Sequence, residues 1–203
     1  MNLPNKITVG RMILTFIFMF FLFSRGVGAK AAALLLFLAA AFTDYLDGYL
    51  ARKMDIRSDF GRIMDPLADK LLTLAAFLAF VEMKLIPAWM VVVIIFRELL
   101  ITSIRLKALT RGEVLSAGRG GKHKTASQML SIFVILVFIV IREAGVRVFG
   151  FWGPVMEFWY RQIIYMMMFI TVVLTVISGA SYIFRNKMYL LNGAKDRHDQ
   201  KDV

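Results

Sequence analysis

The 203-residue chain is 59% hydrophobic and only 19% charged, contains no cysteine, and carries a formal net charge of +11. This composition excludes intrinsic disorder, a collagen-like or low-complexity chain, a disulfide framework, a thiolate metal site and a cysteine nucleophile. An excess of positive charge on so apolar a chain calls for an anionic partner: nucleic acid, an acidic membrane surface or a phosphorylated substrate.

Six apolar stretches approach the roughly 20 residues that a membrane-spanning helix needs. In chain order they run over 7–24, 30–49, 66–83, 87–106, 126–141 and 163–184. The spacing predicts an all-α integral membrane protein with six transmembrane helices and short connections. No alternating ten-residue segments suggest a barrel. Of the 25 Lys and Arg, 17 fall on one set of connections and 6 on the other. The positive-inside rule then places both termini in the cytoplasm, as expected of a multi-pass protein of a bacterial plasma membrane. A cleaved signal peptide ending near Val27-Gly28-Ala29 is the rival for the first stretch. It would remove the even topology that the charges favour. One membrane domain over 1–189 and a polar cytoplasmic tail over 190–203 complete the expected organisation.

The second and third stretches join through polar turns. Asp44, Asp47, Gly48 and Ala51 are spaced i, i+3, i+4 and i+7, and Gly61, Asp65 and Asp69 follow at i, i+4 and i+8. On helices each set shares one face. Four carboxylates can therefore converge in one polar cavity at the cytoplasmic side. Their mutual repulsion demands a positive counterpart. With no cysteine, and histidine only at positions 123 and 198, the donors are hard oxygens that suit Mg²⁺, Mn²⁺ or Ca²⁺ rather than Zn²⁺. Two such ions could clamp a pyrophosphate. Small residues at Gly48, Ala51 and Gly61 leave room for a nucleotide or a facing helix. Asp55 and Asp59 read instead as solvated acids beside basic neighbours.

Asp44-x2-Asp47-Gly48-x2-Ala51-Arg52-x8-Gly61-x3-Asp65-x3-Asp69 resembles the signature of the CDP-alcohol phosphotransferases at all of its fixed positions. The resemblance implies transfer of a phosphoryl-linked group from a CDP-linked donor to an alcohol, with release of CMP. It implies that Asp44, Asp47 and Asp65 bind two divalent cations, Mg²⁺ or Mn²⁺. Asp69 would join the metal cluster and act as general base. Gly48, Ala51, Arg52 and Gly61 would form the CDP site, and the protein would be a homodimer.

Three basic groups bear on the acceptor: Thr8 with Arg11, Arg97-Glu98 with Arg105, and Lys122 with Lys124 in a glycine-rich segment expected to be a loop. Arg105, Lys122 and Lys124, with Thr8 and Arg11, are the expected acceptor-phosphate residues. Arg97-Glu98 reads equally as a structural ion pair. Arg111, Arg119, Arg185, Lys187, Lys195, Arg197 and Lys201 read as topology and lipid attraction. Asn2–Arg11, Arg97-Glu98, Gly121–Gln128 and Ser178-Gly179-x2-Tyr182 are similar, more loosely, to the branch of the family that makes phosphatidylglycerophosphate. That similarity implies CDP-diacylglycerol as donor and sn-glycerol 3-phosphate as acceptor, within membrane lipid and without nucleic acid. Inositol phosphate or serine is the rival acceptor. A divalent-cation transporter is the rival class, but it would need acids across the bilayer and leaves Arg52 and Gly61 unexplained; a scaffold gives the carboxylates no purpose. Trp89, Trp152, Trp159 and Tyr160 read as interfacial anchors, Ser178 and Gly179 as helix-packing residues, and Gly150–Pro154 as an outer turn.

Overall fold

The computed structural model describes residues 3–54, 59–110 and 120–186, with side chains over 10–43, 70–106, 108 and 125–186. These residues form helices α1 (Leu3–Phe23), α2 (Val27–Met54), α3 (Asp59–Glu82), α4 (Ala88–Thr110), α5 (Gly120–Ala144) and α6 (Pro154–Arg185). A π-helical turn, Gly145–Phe149, extends α5. The fold is all-α among the described residues, and its apolar helices are of membrane type. Thr125–Phe149 and Pro154–Arg185 are long and apolar enough to cross a bilayer; Gly10–Phe23 and Val27–Thr43 are shorter apolar helices. Large apolar side chains also face outward, including Phe16, Phe20, Phe96, Met166 and Ile177. A soluble protein rarely exposes so much apolar surface without a partner or a membrane.

Two compact units make up the chain. The first comprises Met1–Ala88 and Gln128–Met167. Within it α1 packs against both α2 and α3. Arg11, Thr15, Phe18 and Leu22 make the buried stripe of α1, at the spacing of one helix face. Lys30, Ala33, Phe37 and Ala40 make that of α2. Phe18 meets Phe37 with ring centroids 6.1 Å apart. The alanines bring the backbones close while the phenylalanines fill the space between. Lys30, buried at the start of α2, donates through Nζ to the Leu22 carbonyl.

Helix α3 stops in a Schellman-type cap. The Leu85 N–H reaches the Phe80 carbonyl and the Lys84 N–H that of Val81, both at 2.9 Å. Lys84 occupies the left-handed position at φ 55, where glycine is usual. Arg161 Nη1 donates to the Lys84 carbonyl at 3.3 Å, tying this cap to α6.

The second unit comprises Trp89–Ser127 and Met168–Val203. Its described core is a stripe on α6, with Met168, Thr171, Val172, Thr175, Gly179 and Tyr182, and a stripe on α4, with Met90, Val91, Ile94, Ile101 and Ala108.

Several expected boundaries move. Gly120–Lys124 belong to α5 rather than to a loop, because a helix need not end where its apolar run ends. Helix α6 begins at Pro154 instead of 163. Proline suits the first helical position, and the Glu157–Arg161 pair at i, i+4 lets the helix carry charge there. Tyr160, expected at the lipid interface, is 4% exposed and sits edge-on to Trp152 and Phe138. The expected tail over 190–203 lies outside the described residues.

Candidate functional site

Asp44, Asp47, Gly48, Ala51 and Arg52 lie on the helical backbone of α2, and Gly61, Asp65 and Asp69 on that of α3. The i, i+3 and i, i+4 spacings thus fall within continuous helices, the condition under which each set shares a face. The side chains of all eight lie outside the described residues. Among the described residues no group of three or more acids and histidines comes together, and the side chains of the expected metal cavity lie outside them. The donor chemistry fits hard divalent cations, since every candidate ligand is a carboxylate.

The expected acceptor residues divide similarly. Lys122 and Lys124 fall in the first turns of α5 and Thr8 in α1, with side chains outside the described set. Arg11 is described: it is 8% exposed on α1, and its carbonyl accepts from Thr15 Oγ1 at 2.9 Å. Arg105 is exposed on α4, with its guanidinium carbon 5.8 Å from the centroid of the Tyr182 ring.

That contact belongs to a polar seam between α4 and α6 inside the second unit. Arg97 lies two helical turns before Arg105. Its Nη2 donates to Ser178 Oγ at 3.0 Å, and its Nη1 stands 3.8 Å from Glu98 Oε1. Gly179 makes room for this cation: a Cβ there would come within 3.0 Å of Arg97 Cγ and 3.3 Å of Nε. Thr175, Ser178, Gly179 and Tyr182 follow one another at i, i+3, i+4 and i+7 along α6, so one face carries them all. The buried Arg97 Nε, Thr175 Oγ1 and Tyr182 Oη have no hydrogen-bond partner among the described residues. The glycine read from sequence as a helix-packing residue therefore serves a specific side chain. The small-residue pattern signalled closeness, without naming Arg97 as what comes close.

A second polar cluster lies in the first unit, where Arg142, Arg147 and Arg161 belong to the minority set of 6 cations and Trp152 is an expected interfacial anchor. Glu157 accepts from Arg142 Nε at 2.8 Å, Trp152 Nε1 at 2.9 Å and Arg161 Nε at 3.0 Å. Glu143 pairs with Arg147 and accepts the Gly26 N–H at 2.9 Å. Only the i, i+4 spacing of Glu143–Arg147 and Glu157–Arg161 foreshadowed it.

The chain matches the CDP-alcohol phosphatidyltransferase family over residues 1–177. It is 45% identical over 148 residues to the CDP-diacylglycerol–glycerol-3-phosphate 3-phosphatidyltransferase of Bacillus subtilis, covering 67% of this chain and 77% of that protein. It is 33% identical over 187 residues to a probable phosphatidylglycerophosphate synthase of Mycobacterium tuberculosis, covering 91% of this chain and 81% of the relative. A CMP-forming cardiolipin synthase of Oryza sativa is 34% identical over 150 residues, covering 67% of this chain and 46% of that protein.

Proposed function

Because the chain belongs to the CDP-alcohol phosphatidyltransferase family, we propose that it makes phosphatidylglycerophosphate from CDP-diacylglycerol and sn-glycerol 3-phosphate. The reaction is phosphatidyl transfer from a CDP-linked lipid to a polar acceptor. The choice of acceptor is supported chiefly by the likeness to the Bacillus glycerol-3-phosphate enzyme, and an acceptor carrying a phosphate suits the basic residues near the ends of α4 and α5.

The acceptor's 1-hydroxyl attacks the phosphorus that bears diacylglycerol. The bond from that phosphorus to the CMP oxygen breaks, and CMP leaves with the electron pair. Asp69 takes the hydroxyl proton, which a neutral alcohol must lose to become a competent nucleophile. Asp44, Asp47 and Asp65, with Asp69, would hold two Mg²⁺ or Mn²⁺ ions, whose charge offsets that of the pyrophosphate. Gly48, Ala51, Arg52 and Gly61 bind the CDP moiety. Arg105, Lys122, Lys124, Thr8 and Arg11 receive the acceptor phosphate. Six spans in one domain over 1–189, with both termini and a tail over 190–203 in the cytoplasm, would put this chemistry at the inner leaflet of a bacterial plasma membrane. The donor would enter sideways from lipid and the acceptor from the cytosol. The active form would be a homodimer.

The test is CMP release by purified protein with CDP-diacylglycerol, Mg²⁺ or Mn²⁺ and a panel of acceptors. We expect release with sn-glycerol 3-phosphate, its loss on chelation and its return on adding the ion. Release only with inositol phosphate, serine or phosphatidylglycerol would replace the acceptor. No release with any acceptor would overturn the enzyme reading, and uptake of divalent ions by vesicles containing the protein would favour transport instead.

A further inference from the structure

The α4–α6 seam contains more polar chemistry than its own contacts use. Among its described residues the seam holds two guanidiniums, Arg97 beside Glu98 and Arg105 over the Tyr182 ring, and one carboxylate. Cations within apolar helices are costly unless they serve a partner. Three buried polar atoms, Arg97 Nε, Thr175 Oγ1 and Tyr182 Oη, have no hydrogen-bond partner among the described residues. A buried donor without an acceptor is unfavourable, so the seam suits an oxygen-rich anion.

Tyr182 is the residue through which such an anion would be read. It is 8% exposed, so its ring is fixed. The Arg105 guanidinium stands 5.8 Å from the ring centroid. A cation over a ring face is held by the ring's quadrupole, yet its N–H groups stay free in their own plane. Those N–H groups form the fork that fits a phosphate. The phenol O–H adds a neutral donor, which a second arginine would supply only with further charge repulsion.

We propose that Tyr182 is an acceptor-binding residue, its ring positioning Arg105 and its hydroxyl donating to an oxygen of a small phosphate-bearing molecule. For turnover this rests on the proposed reaction, with sn-glycerol 3-phosphate as that molecule. The Arg97–Ser178 hydrogen bond over Gly179 braces the seam behind it.

Tyr182→Phe keeps the ring and removes only the hydroxyl. We expect it to raise the KM for sn-glycerol 3-phosphate about tenfold, the weight of one hydrogen bond to a charged group. The KM for CDP-diacylglycerol and kcat should stay within about twofold, below the loss of one such bond. Tyr182→Leu also removes the platform under Arg105 and should raise the acceptor KM further. A merely structural tyrosine would lower the melting temperature and disturb both substrates alike. An unchanged acceptor KM in Tyr182→Phe, or equal increases for both substrates, overturns the proposal. Calorimetric binding of inorganic phosphate to the detergent-solubilised protein requires no turnover. Weaker binding in Tyr182→Phe supports the site even if sn-glycerol 3-phosphate proves not to be the acceptor, in which case only the proposed reaction falls. Equal phosphate binding by wild type and variant, or none by wild type, overturns the site itself.

Discussion

Two polar clusters sit among the apolar helices, and they differ in how they are finished. Around Glu157 the hydrogen bonds close: one carboxylate takes Arg142, Trp152 and Arg161 within 2.8–3.0 Å, and Arg161 reaches on to the Lys84 carbonyl. In the α4–α6 seam they stay open, with a guanidinium nitrogen and two hydroxyls buried and unpartnered among the described residues. A cluster with no buried polar atom left unpartnered has little to offer a ligand, and its place in the fold is to pin helix ends. An open cluster in the same kind of surroundings retains binding capacity. Both contain arginines, so it is the satisfaction of the donors, and not their charge, that separates scaffold from site.

The largest expected effect falls on α3 and would show where the chemistry is done. Asp69→Asn keeps the shape but loses the proposed proton acceptor. CMP release should fall at least about 100-fold, the weight of a general base, while CDP-diacylglycerol binding stays measurable. Retained turnover would remove that role from Asp69. The next effects concern two expected acceptor-phosphate residues, of which Arg105 belongs to the open cluster. Lys124→Ala and Arg105→Ala should each raise the acceptor KM about tenfold, as expected for one charge-assisted phosphate contact. An unchanged KM in either would return that cation to setting topology.

How legible each region was depends on what encodes it. Asp44, Asp47, Asp65 and Asp69 announce themselves by helical spacing, because a face repeated every three or four residues is a property of one chain segment. Their placement on α2 and α3 could be read directly. The existence of six helices was likewise local information carried by apolar runs. Their ends were not: α6 begins at Pro154 because charges at 157 and 161 satisfy each other in the fold, which hydropathy counts only as two penalties. Arg97 with Ser178 and Arg105 with Tyr182 pair across 81 and 77 positions of sequence. No periodicity within either helix could specify those partners. Gly179 in the sequence reports only that something approaches closely.

Breaking the closed cluster should affect stability and leave substrate handling alone. Glu157→Gln removes the charge shared by three donors. We expect a loss of about 2 kcal/mol, since hydrogen bonds to a carboxylate are stronger than neutral ones, with the exposed guanidiniums contributing least. Thermal unfolding in detergent checks this, and KM for both substrates should match wild type. A selective rise in acceptor KM would mean that the Glu157 cluster also serves a ligand, and the distinction between the two would collapse.

The smallest effects come from a matched pair that removes one hydrogen bond from each cluster. Trp152→Phe takes one donor from Glu157 but leaves Arg142 and Arg161 in place. The carboxylate remains satisfied, and the cost should be about 1 kcal/mol of stability with no change in kinetics. Ser178→Ala takes the hydroxyl from Arg97 Nη2, in a seam where Arg97 Nε already lacks a partner. A comparable loss of stability is expected, but here an anion can repay it. Inorganic phosphate should raise the melting temperature of Ser178→Ala and of wild type, and should leave the gap between Trp152→Phe and wild type as it was. If phosphate widens or closes both gaps equally, the open donors of the seam are not what the anion meets.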